Sequence, residues 1–184
     1  TFWTSDSINE NRIINMKRRS IFKWILFAVP VKVLILATGI IIDAQSPKSN
    51  GVKLENLEDQ HKVNVYVNGV LFTSFRYPLN MEKPFLYPIN APNGSVITRG
   101  FPIEPRKGER IDHPHQVGLW FNHGNINGLD FWNNSAAIPA DKKDSYGHIV
   151  TRKIEKSESG RTGILVVLSD WMGSKGNVLL TENA

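Results

Sequence analysis

Three histidines lie close together in residues 99–132, a segment whose composition differs from the rest of the chain. His113 and His115 stand two residues apart, and Asp112 precedes them directly. In an extended segment this spacing directs both imidazoles to the same side. A histidine whose pKa is near neutral serves as a general acid, and a nearby carboxylate serves as a general base. The pattern predicts an acid–base site whose catalytic residues are Asp112, His113, His115 and His148.

The same segment carries side chains that suit a sugar. Tryptophan rings offer apolar faces to the C–H groups of a pyranose, while amide and carboxylate groups hydrogen-bond its hydroxyls. Plainer interpretations remain open: core packing for the tryptophans, turn formation for Asn125, Asn127 and Gly128, and a solvated position for Arg106. The predicted substrate-binding residues are Arg99, Trp120, Asn122, His123, Asn127, Asp130 and Trp132.

A divalent metal ion is the alternative use of these histidines. Imidazoles from His113, His115 and His148 would be its ligands, and His123 or a carboxylate would complete the set. Against this stands the ordinary role of a loop histidine beside a proline such as Pro114, which is to hydrogen-bond backbone carbonyls. The cofactor therefore stays open at this point.

Residues 112–132 read DHPHQVGLWFNHGNINGLDFW, with TRGFP upstream and Gly147-His148 downstream. From about Val63 onward the chain resembles the bacterial PmoA-like family, which is named after methane oxygenase. That name implies copper-dependent methane oxidation in a protein of several membrane helices, whereas this chain has one apolar segment followed by strands. The sheet architecture that the resemblance implies is similar to the galactose-mutarotase-like sandwich of sugar-acting proteins, in which a catalytic carboxylate would lie beyond Ala184.

Short strands separated by turns fill the chain beyond residue 44. Val63, Val65 and Val67 alternate with polar residues, and Asn68-Gly69 then predicts a type I′ hairpin turn to a strand at residues 70–75. A second hairpin is predicted from residues 148–156 and 163–171. Shorter strands are expected at residues 85–89 (an edge), 117–121 and 129–132, and from residue 178. The pattern predicts an all-β antiparallel sandwich. Because the last strand has no visible partner, we expect the domain to be truncated.

The first 44 residues are expected to be a targeting segment. Lys17-Arg18-Arg19 follows Met16, and residues 21–42 are largely apolar, a pattern typical of an export signal or a membrane anchor. The predicted organisation is an upstream extension at 1–15, the signal or anchor at 16–44, a linker at 45–61 and the β domain at 62–184. The expected location is secreted or periplasmic, or membrane-anchored through residues 21–42.

Charge and cysteine content exclude several classes of protein. Six of the 22 basic residues and three of the 17 acidic ones lie in residues 1–44, which leaves 16 basic and 14 acidic residues beyond them. The remainder is nearly balanced and has no basic stripe for phosphates, so no nucleic-acid partner is expected. The chain has no cysteine, which excludes disulfides, thiolate ligands and a cysteine nucleophile.

Together these features favour an exported protein that binds or acts on a carbohydrate or another small molecule. A metal-dependent oxygenase or hydrolase is the second hypothesis, and a non-catalytic binding module or inactive fragment is the third. Contact with a membrane is expected only through the N-terminal segment.

Overall fold

The computed structural model describes residues 50–184. The predicted extension, signal or anchor, and first part of the linker lie outside these residues. Within the described part no helix is long and apolar enough to cross a membrane. The strands are β1 (Val52–Leu57), β2 (Lys62–Val67), β3 (Val70–Arg76), β4 (Phe85–Ile89), β5 (His148–Glu158), β6 (Ile164–Met172) and β7 (Val178–Asn183), with 3₁₀ helices at Glu58–Gln60 and Ala140–Ser145.

These strands form two antiparallel sheets, and the predicted all-β fold is confirmed. One sheet has the order β1-β2-β3-β4 and the other the order β5-β6-β7. Every neighbouring pair is antiparallel. Within each sheet, successive strands are neighbours, and the long segment between β4 and β5 connects the two sheets and carries the candidate site.

The hairpin of β2 and β3 turns at Asn68-Gly69, as predicted. Asn68 has φ of 51° and Gly69 has φ of 81°, which are the positive values that a type I′ turn requires. Val67 pairs with Val70 across the turn. Asn68 also accepts a hydrogen bond from the Gly51 amide at 3.0 Å, so the turn is tied to the residue that precedes β1.

Gly69→Val is expected to lower the free energy of unfolding by about 1 kcal/mol or more, because a β-branched residue resists positive φ. A Cβ at Gly69 would meet no atom within 4 Å, so the cost is one of backbone conformation. Gly124→Val is the control, since Gly124 is also open but lacks a positive φ. Chemical denaturation of both variants measures the difference. Equal unfolding midpoints would contradict the turn assignment.

Two sequence expectations differ from the structure. The predicted linker contains β1, which pairs with β2 over all six residues, because Val52 and Leu54 alternate with the charged Lys53 and Glu55 in a polar-looking stretch. The last strand was expected to have no partner, but β7 pairs with β6, because the turn after Met172 folds it back onto that strand.

Two small cores lie beneath the segment that connects the sheets. Phe85, Tyr87 and Val117 form the first, with Ile103 and Trp120 packed against it. In the second core Phe131, Ile149 and Trp171 pack together, with Ile126 and Leu129 against them. The runs at 117–121 and 129–132 make isolated bridges instead of the predicted strands. Because they lack the hydrogen bonds of a sheet, packing in these two cores is what holds their residues in place.

Candidate functional site

Arg99 holds the loop that carries the histidine pair. Its Nη1 donates to the backbone oxygen and to Oδ1 of Asp112 at 3.0 and 3.3 Å. Its Nη2 donates to the carbonyls of His113 and Gln116 at 3.0 and 3.2 Å. Arg99 was predicted to bind substrate, but its guanidinium is occupied by the loop itself. It therefore fixes the conformation of residues 112–116.

A second arginine holds the start of the same loop. Arg106 pairs with Glu109 at 3.0 Å and donates to the hydroxyl of Tyr87 and to the carbonyl of Thr98, both at 3.2 Å. Glu109 in turn accepts the Gly100 amide hydrogen at 2.8 Å. Arg106 is exposed, in agreement with the solvated interpretation of the sequence, and its guanidinium also makes these three contacts. The loop is thus held in a defined conformation by hydrogen bonds of its own side chains.

Asp112 and His113 form a carboxylate–imidazole pair. Nδ1 of His113 lies 3.0 Å from Oδ2 of Asp112, and Arg110 and Arg99 contact the same carboxylate. Burial raises the pKa of Asp112, but the hydrogen bond from His113 and the charge of Arg110 outweigh it and hold the pKa below its usual value. Asp112 is therefore an ionised, fully occupied carboxylate, which suits it to orient His113 better than to act as a base.

His115 is half-buried beside His113, with the two ring centroids 5.7 Å apart. Burial lowers the pKa of His115, and the charges of Lys83 and His113 lower it further against the opposing effect of Asp130. A histidine with a lowered pKa is neutral at pH 7 and accepts protons. The sequence suggested a histidine acid and a carboxylate base; these environments favour a histidine base.

The lowered pKa of His115 makes stability depend on pH. Above pH 6.5, the usual pKa of histidine in the unfolded chain, the imidazole is neutral in both the folded and the unfolded state. The contribution of His115 to the free energy of unfolding is then fully present. As the pH falls from 6.5 towards the folded pKa, the unfolded chain takes up the proton first and stability is lost. His115→Gln should flatten this part of the profile, measured as melting temperature against pH. His123→Gln, at an exposed position, is the control, and an identical flattening there would contradict the assignment.

Trp120 and Trp132 pack against each other, with ring centroids 5.2 Å apart and planes at 49°. Beside them lies Lys83, which is 3% exposed. Its Nζ donates to the carbonyls of Trp132, Phe131 and His115 at 2.8, 3.4 and 3.5 Å and lies 5.4 Å from the centroid of the Trp120 ring. The histidine loop and the tryptophan pair therefore meet around one buried amine.

A family model matches residues 62–184, and its description is a family of unknown function, DUF6807. The chain belongs to the DUF6807 family. No curated protein and no solved structure matches the chain. The description of DUF6807 mentions neither PmoA nor galactose mutarotase, so both resemblances stay predictions.

Lys83, the buried residue that contacts both the histidine loop and the tryptophan pair, was not predicted from the sequence. It lies in the loop between β3 and β4, outside the histidine-rich segment, and one lysine between Glu82 and Pro84 gives no recognisable signal. Burial lowers the pKa of Lys83 to about 8, while the charges of Asp130 and Glu82 raise it. The side chain is thus an ammonium at neutral pH.

Three of the predicted substrate-binding residues of the DUF6807 region maintain local structure. Asn122 donates to the carbonyl of Phe131 at 3.0 Å. Asn127, with φ of 53°, occupies the turn between Ile126 and Leu129, which exchange backbone hydrogen bonds. The turn interpretation of Asn127 is therefore the right one. Asp130 accepts hydrogen bonds from the amide and side chain of Asn133 at 2.9 and 2.7 Å.

The predicted site residues line separate cavities. His113 borders one of about 350 Å³ with Arg99 and Asp112, and Trp120 borders an apolar one of about 470 Å³. His123 is exposed and lines a pocket of about 420 Å³ with Phe121, Trp171 and Leu180. His148 lines a cleft of about 820 Å³ that runs along β5. The expectation that these histidines and the tryptophan pair would share one concave surface is wrong for His123, which lines a pocket that contains none of the others.

The metal hypothesis finds no ligand set in the part of the chain that the structure describes. Among residues 50–184, no three histidine, cysteine, aspartate or glutamate side chains are grouped closely enough to hold a metal ion. His113 and His115 are neighbours, but His148 borders the separate cleft along β5.

Proposed function

We propose that the DUF6807 region binds a carbohydrate and acts on it by acid–base chemistry. The proposed site, called here the His–Trp surface, is formed by His113, His115, Trp120 and Trp132. The observation that carries the proposal is that the backbones of His115 and Trp132 meet at one side chain, that of Lys83. The carbonyls of His115 and Trp132 both lie within 3.5 Å of one amine, next to the paired indoles.

Aromatic rings and neutral imidazoles complement the two kinds of surface on a sugar. Trp132 is 40% exposed and offers an indole face to pyranose C–H groups. The neutral imidazole of His115 accepts hydrogen bonds from hydroxyls. Nδ1 of His113 is directed at Asp112, so its Nε2 is the nitrogen left for a ligand. Both kinds of contact are therefore present on the His–Trp surface.

The different environments of the two histidines suggest their roles. His115, whose pKa is lowered, takes a proton from a sugar hydroxyl. His113, oriented by the Asp112 carboxylate, acts in its doubly protonated form. It gives the Nε2 proton to the ring oxygen as the bond between that oxygen and the anomeric carbon breaks, while the hydroxyl deprotonated by His115 becomes the carbonyl oxygen. Asp112 stays ionised throughout, because the guanidinium groups of Arg99 and Arg110 lie against its carboxylate.

Export is part of the proposal. The basic triplet at residues 17–19 and the apolar run at 21–42 support a secreted or periplasmic location, with a membrane anchor if the segment is retained. The N-terminal sequence of the exported product should then begin near Ile40 or Gln45.

Calorimetric titration of the full chain with neutral hexoses and pentoses tests the sugar proposal. We expect Trp132→Ala to weaken binding about tenfold or more, equivalent to about 1.4 kcal/mol. Leu79→Ala is the control, since Leu79 is an exposed apolar residue in the loop before β4, and it should bind as the wild type does. Absence of binding by the wild type, or equal affinities of the wild type and Trp132→Ala, would contradict the proposal.

A further inference from the structure

Lys83 is a buried charge whose partners are all backbone carbonyls. An ammonium has three N–H donors, and Nζ has three acceptors within 3.5 Å, on His115, Phe131 and Trp132. Among the ion pairs of residues 50–184 none involves Lys83: Glu82 pairs instead with Lys143 at 2.7 Å. The charge is therefore directed at the backbone on which the site is built.

The three acceptors belong to two segments that are otherwise separate in sequence. His115 ends the loop held by Arg99, whereas Phe131 and Trp132 follow the turn at Asn127-Gly128. The ring of Trp120 adds a third segment through a cation–π contact at 5.4 Å. Charge-assisted hydrogen bonds are shorter and stronger than neutral ones. The bond to Trp132 at 2.8 Å is of this kind, whereas those to Phe131 and His115 are longer, at 3.4 and 3.5 Å. One side chain thus joins every segment of the His–Trp surface.

We propose that Lys83 is the positioning residue of the His–Trp surface, holding His115 at a fixed distance from the Trp120–Trp132 pair so that one ligand contacts both. This inference takes the identity of the ligand from the proposed function. The positioning by Lys83 can nevertheless be measured in the protein without any ligand. A buried charge costs solvation free energy unless its hydrogen bonds are complete. Here the carbonyls complete them, so the ammonium fixes the positions of its partners.

Nuclear magnetic resonance of the wild-type chain tests the positioning directly. The ¹⁵Nζ signal of Lys83 should show slow hydrogen exchange at neutral pH and nuclear Overhauser contacts to the Trp120 ring. Lys53 is the internal comparison: its Nζ lies 5.6 Å from the ring centroid of Tyr66, but its side chain is 63% exposed. A Lys83 ammonium that exchanges as fast as that of Lys53 would overturn the inference.

Variants of Lys83 test its effect on the ligand. Lys83→Met should shift the indole N–H signal of Trp120 and weaken sugar binding about tenfold or more. Lys83→Arg, which keeps charge and donors, should restore part of the affinity, and Lys53→Met should match the wild type. Wild-type indole signals and affinity in Lys83→Met would overturn the inference. A wild type that binds no sugar would instead overturn the proposed function. The positioning by Lys83 would then be decided by the hydrogen-exchange rate of its ammonium group alone.

Discussion

Arg99→Ala is expected to lower the free energy of unfolding by about 2–3 kcal/mol and to release the loop that carries the histidine pair. The side chain makes four hydrogen bonds within that loop, and its removal leaves the carbonyls of Asp112, His113 and Gln116 without their donor. Hydrogen bonds from a charged donor contribute about 1.5–3 kcal/mol each at best, and partial exposure reduces their sum. Sugar binding should weaken together with stability, since His113 loses its fixed position.

Arg110→Ala is the matched control for Arg99. Arg110 contacts the same carboxylate, but its side chain is 83% exposed, and exposed ion pairs contribute about 0–1 kcal/mol. Denaturant titration and hydrogen exchange of the amides of residues 112–116 measure the two effects. If Arg99→Ala and Arg110→Ala unfold at the same denaturant concentration, Arg99 does not hold the loop at residues 112–116 in the way described.

Gly147→Ala is expected to destabilise the domain by about 1–3 kcal/mol, the usual cost of inserting a methyl group into a packed core. A Cβ at Gly147 would overlap the ring of Phe131, which is buried and packs on Trp171 with ring centroids 5.1 Å apart. The ring cannot move without disturbing the second core. The carbonyl of Phe131 is also bound to Lys83, so the displacement should reach the His–Trp surface.

Gly124→Ala separates this steric effect from the general cost of replacing glycine. A Cβ at Gly124 would have no atom within 4 Å, and neither Gly124 nor Gly147 has a positive φ. The melting temperature of Gly124→Ala should therefore stay near that of the wild type. A comparable loss in both variants would show that the space around Gly147 is not the cause.

Local patterns in the sequence predicted the hairpins well. Alternating valines and Asn68-Gly69 specify β2, β3 and their turn, because side-chain period and turn geometry are both local properties. β1 escaped detection because Lys53 and Glu55 occupy its other face, so the stretch resembled a polar linker. The turn role of Asn127 was one of two readings that the residue types alone left open.

The candidate site depends on contacts that sequence spacing does not encode. The spacing of His113 and His115 was expected to act through an extended segment, but His113 has φ of 54° and the chain turns between it and Gln116. The approach of Trp132 to His115 depends on Lys83, more than thirty residues earlier. Arg99 was predicted to bind substrate because a free guanidinium binds anions well, yet the folded loop supplies its own acceptors. His123 was predicted to be in the site because it is near the other histidines in sequence, but in the fold it lines a pocket with Phe121 and Trp171.

The most direct test of the account is a sugar titration followed by nuclear magnetic resonance on the full chain, with the indole signals assigned by tryptophan-to-phenylalanine variants. The account predicts that the indole N–H signal of Trp132 and the imidazole signals of His115 shift together and report one dissociation constant. Shifts confined to His148 in the cleft along β5, or to His123 beside Trp171, with His115 and Trp132 unchanged, would contradict it.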